Sequence, residues 1–173
     1  AGKINGVHAV DTLDGKEYQI KSKVVVNATG VFVDDVMKMD ECDTRRKVRP
    51  SQGVHLVVDS KFLGGRSALM IPKTKDGRVL FGVPWHGKVV LGTTDTPLNE
   101  ASLEPRALEE EVDFILDQAG QYLDRKPTRA DVLSIFAGLR PLAAPTHADS
   151  KKTKEISRNH KIYRSKSGLL TIT

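Results

Sequence analysis

Glycine and proline punctuate the apolar stretches between Val48 and Thr93. A helix does not survive such punctuation, whereas strands joined by tight turns do. The run VRPSQGVHLVVD, Val48 to Asp59, reads as one long strand. Residues 68–72, 79–84 and 89–93 read as three shorter ones. Lys75-Asp76-Gly77 and His86-Gly87-Lys88 carry hairpin-turn chemistry between them. This block is expected to form an antiparallel sheet.

Around it the pattern is mixed. Residues 7–10 and 18–26 read as strands joined at Asp14-Gly15. The continuous Val24-Val25-Val26 suits a strand buried on both faces. A short helix is expected over residues 33–39. A second is expected to start near Pro105, which suits a first helical turn. It runs on through Leu108, Val112, Ile115, Leu116 and Ala119 at helical spacing. Glu109, Glu110, Glu111 and Asp113 then fall on its outer side or in its early turns, where acids complement the helix dipole. Later strands are expected over 132–139, ending at Arg140-Pro141, over 156–163 and over 169–173, with a polar loop over 146–155. The fold class is α/β with α+β character. Both ends of the sequence fall close to apolar runs, so the chain reads as an internal piece of a longer protein.

Composition excludes several function classes. The net charge is +5, but aromatics are only 5%. A surface that stacks nucleic-acid bases needs aromatics interleaved with its basic groups, so no nucleic-acid partner is expected. The basic runs Arg45-Arg46-Lys47 and Lys151-Lys152-Thr153-Lys154 fit solvated loops, an anionic small substrate or an anionic membrane surface. Cys42 is the single cysteine, which rules out an intramolecular disulfide. No Cys-x-x-Cys or His-x-x-x-His pair is present, so no metal site is expected. Neither a G-x-G-x-x-G loop nor a Walker motif occurs.

Five places can carry chemistry. Asn27-Ala28-Thr29-Gly30 ends a strand, where glycine lets backbone approach a ligand and where open sheets gather ligands; the alternative is a tight strand-to-helix turn. His55 lies in strand phase on the face opposite Val54, Leu56 and Val58, free to act as a base near neutral pH or merely to face solvent. Arg140 shares a face with Ser134, Phe136 and Gly138. The missing side chain at Gly138 opens room for its guanidinium to fork onto an anion, or for a structural ion pair. Arg158 is a second anion-binding candidate. Gly92-Thr93-Thr94-Asp95 offers hydroxyls and a carboxylate that can bind a polyol or cap a turn.

The order of the motifs says more. KVVVNATGVFVDD, VRPSQGVHLVVD, VLFGVPWHGKVVLGTTDTPL, AGLRPL and ISRNHKIY together resemble the FAD-dependent, quinone-linked glycerol-3-phosphate dehydrogenase family over essentially the whole chain. That resemblance implies an antiparallel substrate-domain sheet with flanking helices, and part of a glutathione-reductase-like FAD domain. It divides the chain into a partial FAD-binding segment (1–45), a substrate-binding segment (46–145) and a return segment toward the FAD domain (146–173). It implies oxidation of sn-glycerol 3-phosphate to dihydroxyacetone phosphate by hydride transfer to FAD, with electrons passing to a quinone. By the same resemblance the enzyme serves glycerol metabolism in the cytoplasm, peripheral to the inner membrane. His55 and Arg140 match catalytic positions. Arg140, Arg158 and Thr94 match substrate contacts, Arg158 at the phosphate. Thr29 and Gly30 match a flavin contact, although segments outside this chain are expected to hold most of the FAD. The isolated chain is expected to be inactive and colourless. Alternatives are a glycerol 3-phosphate oxidase, a related flavin amine oxidase, or a non-catalytic anion-binding module.

Overall fold

A computed structural model describes residues 2–41, 44–144 and 160–173. Its strands are β1 (Gly6–Val10), β2 (Glu17–Lys21), β3 (Val26–Asn27), β4 (Val48–Asp59), β5 (Leu69–Ile71), β6 (Leu80–Trp85), β7 (Lys88–Gly92), β8 (Thr96–Pro97), β9 (Ser134–Ala143), β10 (Ile162–Arg164) and β11 (Leu170–Ile172). The α-helices are α1 (Val33–Asp40) and α2 (Glu109–Ala119). The chain divides into two units, one of Ala1–Pro50 with Pro141–Thr173 and the other of Ser51–Arg140.

The second unit is built on an antiparallel sheet in the order β5-β6-β7-β4-β8, with β9 also paired to β4. Side chains on β4 alternate as a strand requires. Val54, Leu56 and Val58 are fully buried, while His55 and Val57 are half-buried on the opposite face. The buried face joins Ile71, Leu80, Val89 and Leu91 to Val112, Ile115, Leu116 and Ala119 of α2 in one core. Helical spacing on α2 and period-two spacing on β4, β6 and β7 thus converge on one apolar layer. At the β6–β7 hairpin Trp85 pairs with Lys88, so the loop is only His86 and Gly87. Both have positive φ, 45° and 73°, as a type I′ turn demands.

The first unit holds two smaller sheets. β1 and β2 form a hairpin, and β10-β11-β3 form a three-stranded sheet in which β11 and β3 run parallel. Val33 and Met37 of α1 are buried, as is Leu169 beside β11. The Asp34 carboxylate accepts from the backbone N–H groups of Lys47 at 2.8 Å and Val48 at 3.1 Å, tying α1 to the start of β4.

Several expectations need correction. The single strand over 18–26 is two, because β2 pairs with β1 while β3 joins β11. Val24 and Val26 are exposed on this chain rather than buried on both faces, and only Val26 lies in β3. Pro105 lies before α2, whose first residue is Glu109. The Glu111 side chain reaches back to the Leu108 N–H at 3.0 Å and fixes that later start. β9 runs past Arg140-Pro141 to Ala143. Proline is tolerated there because β9, paired only to β4 among the described residues, is an edge strand. Of the strand expected over 156–163, only its last residues are described, in β10. Among the described residues no helix is long and apolar enough to cross a membrane.

Candidate active site

His55 and Arg140 come together on the face of the sheet opposite α2. The register sets Phe81 beside Gly92, and Gly92 beside His55. The absent side chain at Gly92 makes room for the imidazole, since a Cβ there would lie 2.3 Å from His55 Cδ2. The ring stacks on Phe136 of β9, with centroids 5.0 Å apart and planes 11° from parallel. One face of the imidazole is thus fixed by an aromatic ring.

Arg140 lies across Gly53. A Cβ at Gly53 would stand 2.3 Å from Arg140 Nη2 and 2.6 Å from its Cζ. Two donors of the guanidinium fork onto one turn: Nη1 donates to the Thr94 carbonyl at 3.1 Å, and Nη2 to Thr93 Oγ1 at 2.9 Å. Asp95 Oδ1 is 3.9 Å from Nη1 and also accepts from Ser51 Oγ. A Cβ built on Gly138 meets nothing within 4 Å, so the space read beside the arginine is open.

Electrostatics suit a base at His55. Burial, and then the positive charge of Arg140, hold its imidazole below the ordinary value of 6.5. The ring is therefore neutral near pH 7 and able to take a proton.

Thr94 is placed differently from expectation. Its hydroxyl is turned into the protein, donating to Glu111 Oε1 at 2.8 Å and accepting from the Val54 N–H at 3.0 Å. It is 2% exposed, and its backbone carbonyl is the atom that receives Arg140 Nη1. The neighbouring Thr93 hydroxyl is the one that meets Arg140. Arg158 and Cys42 lie outside the described residues.

Thr29 and Gly30 belong to the other unit, at the carboxyl end of β3 beside its parallel partner β11. Gly30 has φ of 61°, which suits glycine, and a Cβ built there meets nothing within 4 Å. Asn27, the first residue of the same motif, organises this turn. Buried at 2% exposure, it accepts from Thr29 Oγ1 at 2.8 Å and donates to the Val33 carbonyl at 2.9 Å. An asparagine two residues before a turn threonine is suited to that bond. An open positive-φ glycine at a parallel strand end fits close approach by one edge of a dinucleotide such as FAD. Elsewhere in this unit a cleft of about 290 Å³ is lined by Asp40, Arg45, Lys47, Tyr163 and Arg164, none of them among the expected site residues.

Residues 1–164 match the family described as DAO, FAD dependent oxidoreductase. A mitochondrial glycerol-3-phosphate dehydrogenase of Arabidopsis thaliana is 44% identical over 99% of this chain and 27% of its own length. The Bos taurus mitochondrial glycerol-3-phosphate dehydrogenase is 42% identical over 98% of this chain and 23% of its own. The solved glycerol-3-phosphate dehydrogenase of Bacillus halodurans, complexed with FAD, superposes with a TM-score of 0.82 at 38% identity, covering 98% of this chain and 32% of that one. This chain therefore spans about a quarter to a third of the relatives it matches. With a family match over nearly its whole length, the chain belongs to the FAD dependent oxidoreductase family.

Proposed function

We propose that the full-length protein carrying this chain oxidises sn-glycerol 3-phosphate to dihydroxyacetone phosphate. The observation that carries the reading is the pairing of a neutral imidazole with a fixed guanidinium on one open sheet face. Its relatives named glycerol-3-phosphate dehydrogenase supply the substrate class. The Ser51–Arg140 unit would supply the substrate face, and the Thr29-Gly30 turn of the other unit a flavin contact.

His55 would take the C2 hydroxyl proton, because a carbon gives up hydride more readily as its hydroxyl becomes alkoxide. Arg140 would stabilise the negative charge that develops on that oxygen. Its two bonds to the Thr93-Thr94 turn hold it in place before substrate arrives, so little reorganisation is needed. Arg158 would bind the phosphate, whose remote binding energy positions C2. Bound FAD would supply a hydride acceptor, with the electrons passed on to a quinone. A location peripheral to an inner membrane follows from that acceptor, and mitochondrial relatives are compatible with it.

Steady-state oxidation of glycerol 3-phosphate by the full-length protein tests the reading, with quinone and oxygen compared as acceptors. Turnover with quinone that falls at least ~100-fold in Arg140→Ala supports it. Absence of turnover with either acceptor, or an Arg140→Ala variant as active as the parent, refutes it.

A further inference from the structure

Glu111 stands at the third position of α2, 3% exposed, beneath the sheet that carries His55 and Arg140. Its carboxylate is filled. Oε2 accepts from Gln52 Nε2 at 2.7 Å and from the Leu108 N–H at 3.0 Å. Oε1 accepts from Thr94 Oγ1 at 2.8 Å and from Thr96 Oγ1 at 2.5 Å. An ionised carboxylate offers roughly four acceptor sites, and all are used. Burial alone would push this carboxyl up. The bonds from Leu108, Thr96, Gln52 and Thr94 outweigh burial and hold it below its ordinary value of 4.5.

A buried charge is a poor device for stability alone, since an apolar side chain of similar size does as well without desolvation. Its merit is geometric. The four donors come from β4, from the turn after β7, from β8 and from the start of α2. One of these links, Thr94, leads to the site in two ways. Thr94, held by Glu111, presents the carbonyl that receives Arg140 Nη1, and Thr93 beside it receives Nη2. The same Thr94 hydroxyl accepts from the N–H of Val54, the residue before His55.

We propose that Glu111 is a positioning residue: through Thr94 it fixes the turn on which the Arg140 guanidinium docks, and so sets the arginine against the substrate. This rests on the assignment of Arg140 to the active site.

In Glu111→Gln the amide keeps the size but replaces one acceptor with a donor. Its oxygen is needed by Gln52 and Leu108, so the NH2 faces the two threonine hydroxyls. Thr94 then loses its acceptor, and the turn shifts. The test is a double-mutant cycle in the full-length, FAD-loaded protein, combining Glu111→Gln with Arg140→Ala. If Glu111 acts through Arg140, Glu111→Gln lowers kcat/KM about tenfold when Arg140 is present and less than about twofold when it is not. An equal loss in both backgrounds overturns the proposal, because general loosening of the unit does not depend on Arg140. Should Glu111→Gln fail to fold, the pair Thr94→Val and Thr94→Ser carries the same cycle. The valine, without a hydroxyl, reproduces the Arg140-dependent loss and the serine restores activity; a serine as impaired as the valine, or additive losses, overturns the proposal. The cycle is read on whichever substrate reduces the flavin. A protein inactive on glycerol 3-phosphate but active on another substrate refutes the proposed function and still decides the role of Glu111.

Discussion

Replacing Gly53 with alanine should separate activity from stability. The added Cβ would lie 2.3 Å from Arg140 Nη2 and 2.6 Å from Cζ and Nη1, whereas ordinary contact begins at 3.4 Å. The guanidinium must therefore retreat by more than 1 Å. It can do so cheaply, because these atoms are the far end of a flexible side chain. The cost in folding free energy is the weakening of the two bonds to Thr93 and Thr94, about 1–2 kcal/mol. The cost in rate is larger. A catalytic group misplaced by about 1 Å forfeits on the order of 100-fold, some 2.7 kcal/mol in the barrier. Steady-state kinetics and thermal unfolding of full-length Gly53→Ala measure the two quantities side by side. The expected result is kcat/KM down about 100-fold with an unfolding midpoint lowered by only a few degrees. Wild-type kcat/KM in a folded Gly53→Ala protein would refute the assignment of Arg140 to the reacting groups.

Gly92→Ala should act likewise on the imidazole, since its Cβ would fall 2.3 Å from His55 Cδ2 while Phe136 blocks one face of the ring; a loss of roughly tenfold or more in kcat is expected from kinetics. The acid limb of kcat/KM should lie below pH 6.5, because a base held below its ordinary value protonates only at lower pH. Removing the neighbouring charge with Arg140→Met should move that limb upward, as read in the pH profile of the residual activity, whereas an unmoved limb would mean that His55 is not the titrating group. Folding follows the same sign: with the folded-state value depressed, His55 costs stability as pH falls below 6.5. Ile115→Ala in α2 should lower stability by about 2–5 kcal/mol, because the side chain is fully buried in the core of its unit; a denaturant midpoint shift checks it.

What could be read from the sequence followed from periodicity. The faces of β4 were legible because apolar and polar residues alternate through GVHLVVD, and His55 falls on the open face as expected. Arg140 was legible in phase with Phe136 and Gly138, and the ring of Phe136 does meet His55. Thr94 was not, because strand alternation stops with β7 at Gly92 and nothing local says which way the next hydroxyl turns. Glu111 read as one more acid in an acidic first turn. A glutamate three residues after the residue preceding a helix can instead fold back onto that N–H, and here it does. The glycines at 53 and 92 read as turn or strand punctuation, and only the register reveals that each clears space for a neighbouring side chain.

Anaerobic mixing of the full-length, flavin-loaded protein with glycerol 3-phosphate joins the family, the substrate and the site in one measurement. The yellow absorbance of oxidised flavin should bleach rapidly in the parent, with dihydroxyacetone phosphate formed in equal amount, and at least ~100-fold more slowly in Arg140→Ala. Flavin that stays oxidised in the parent, or bleaching at the same rate without Arg140, would contradict the proposed chemistry.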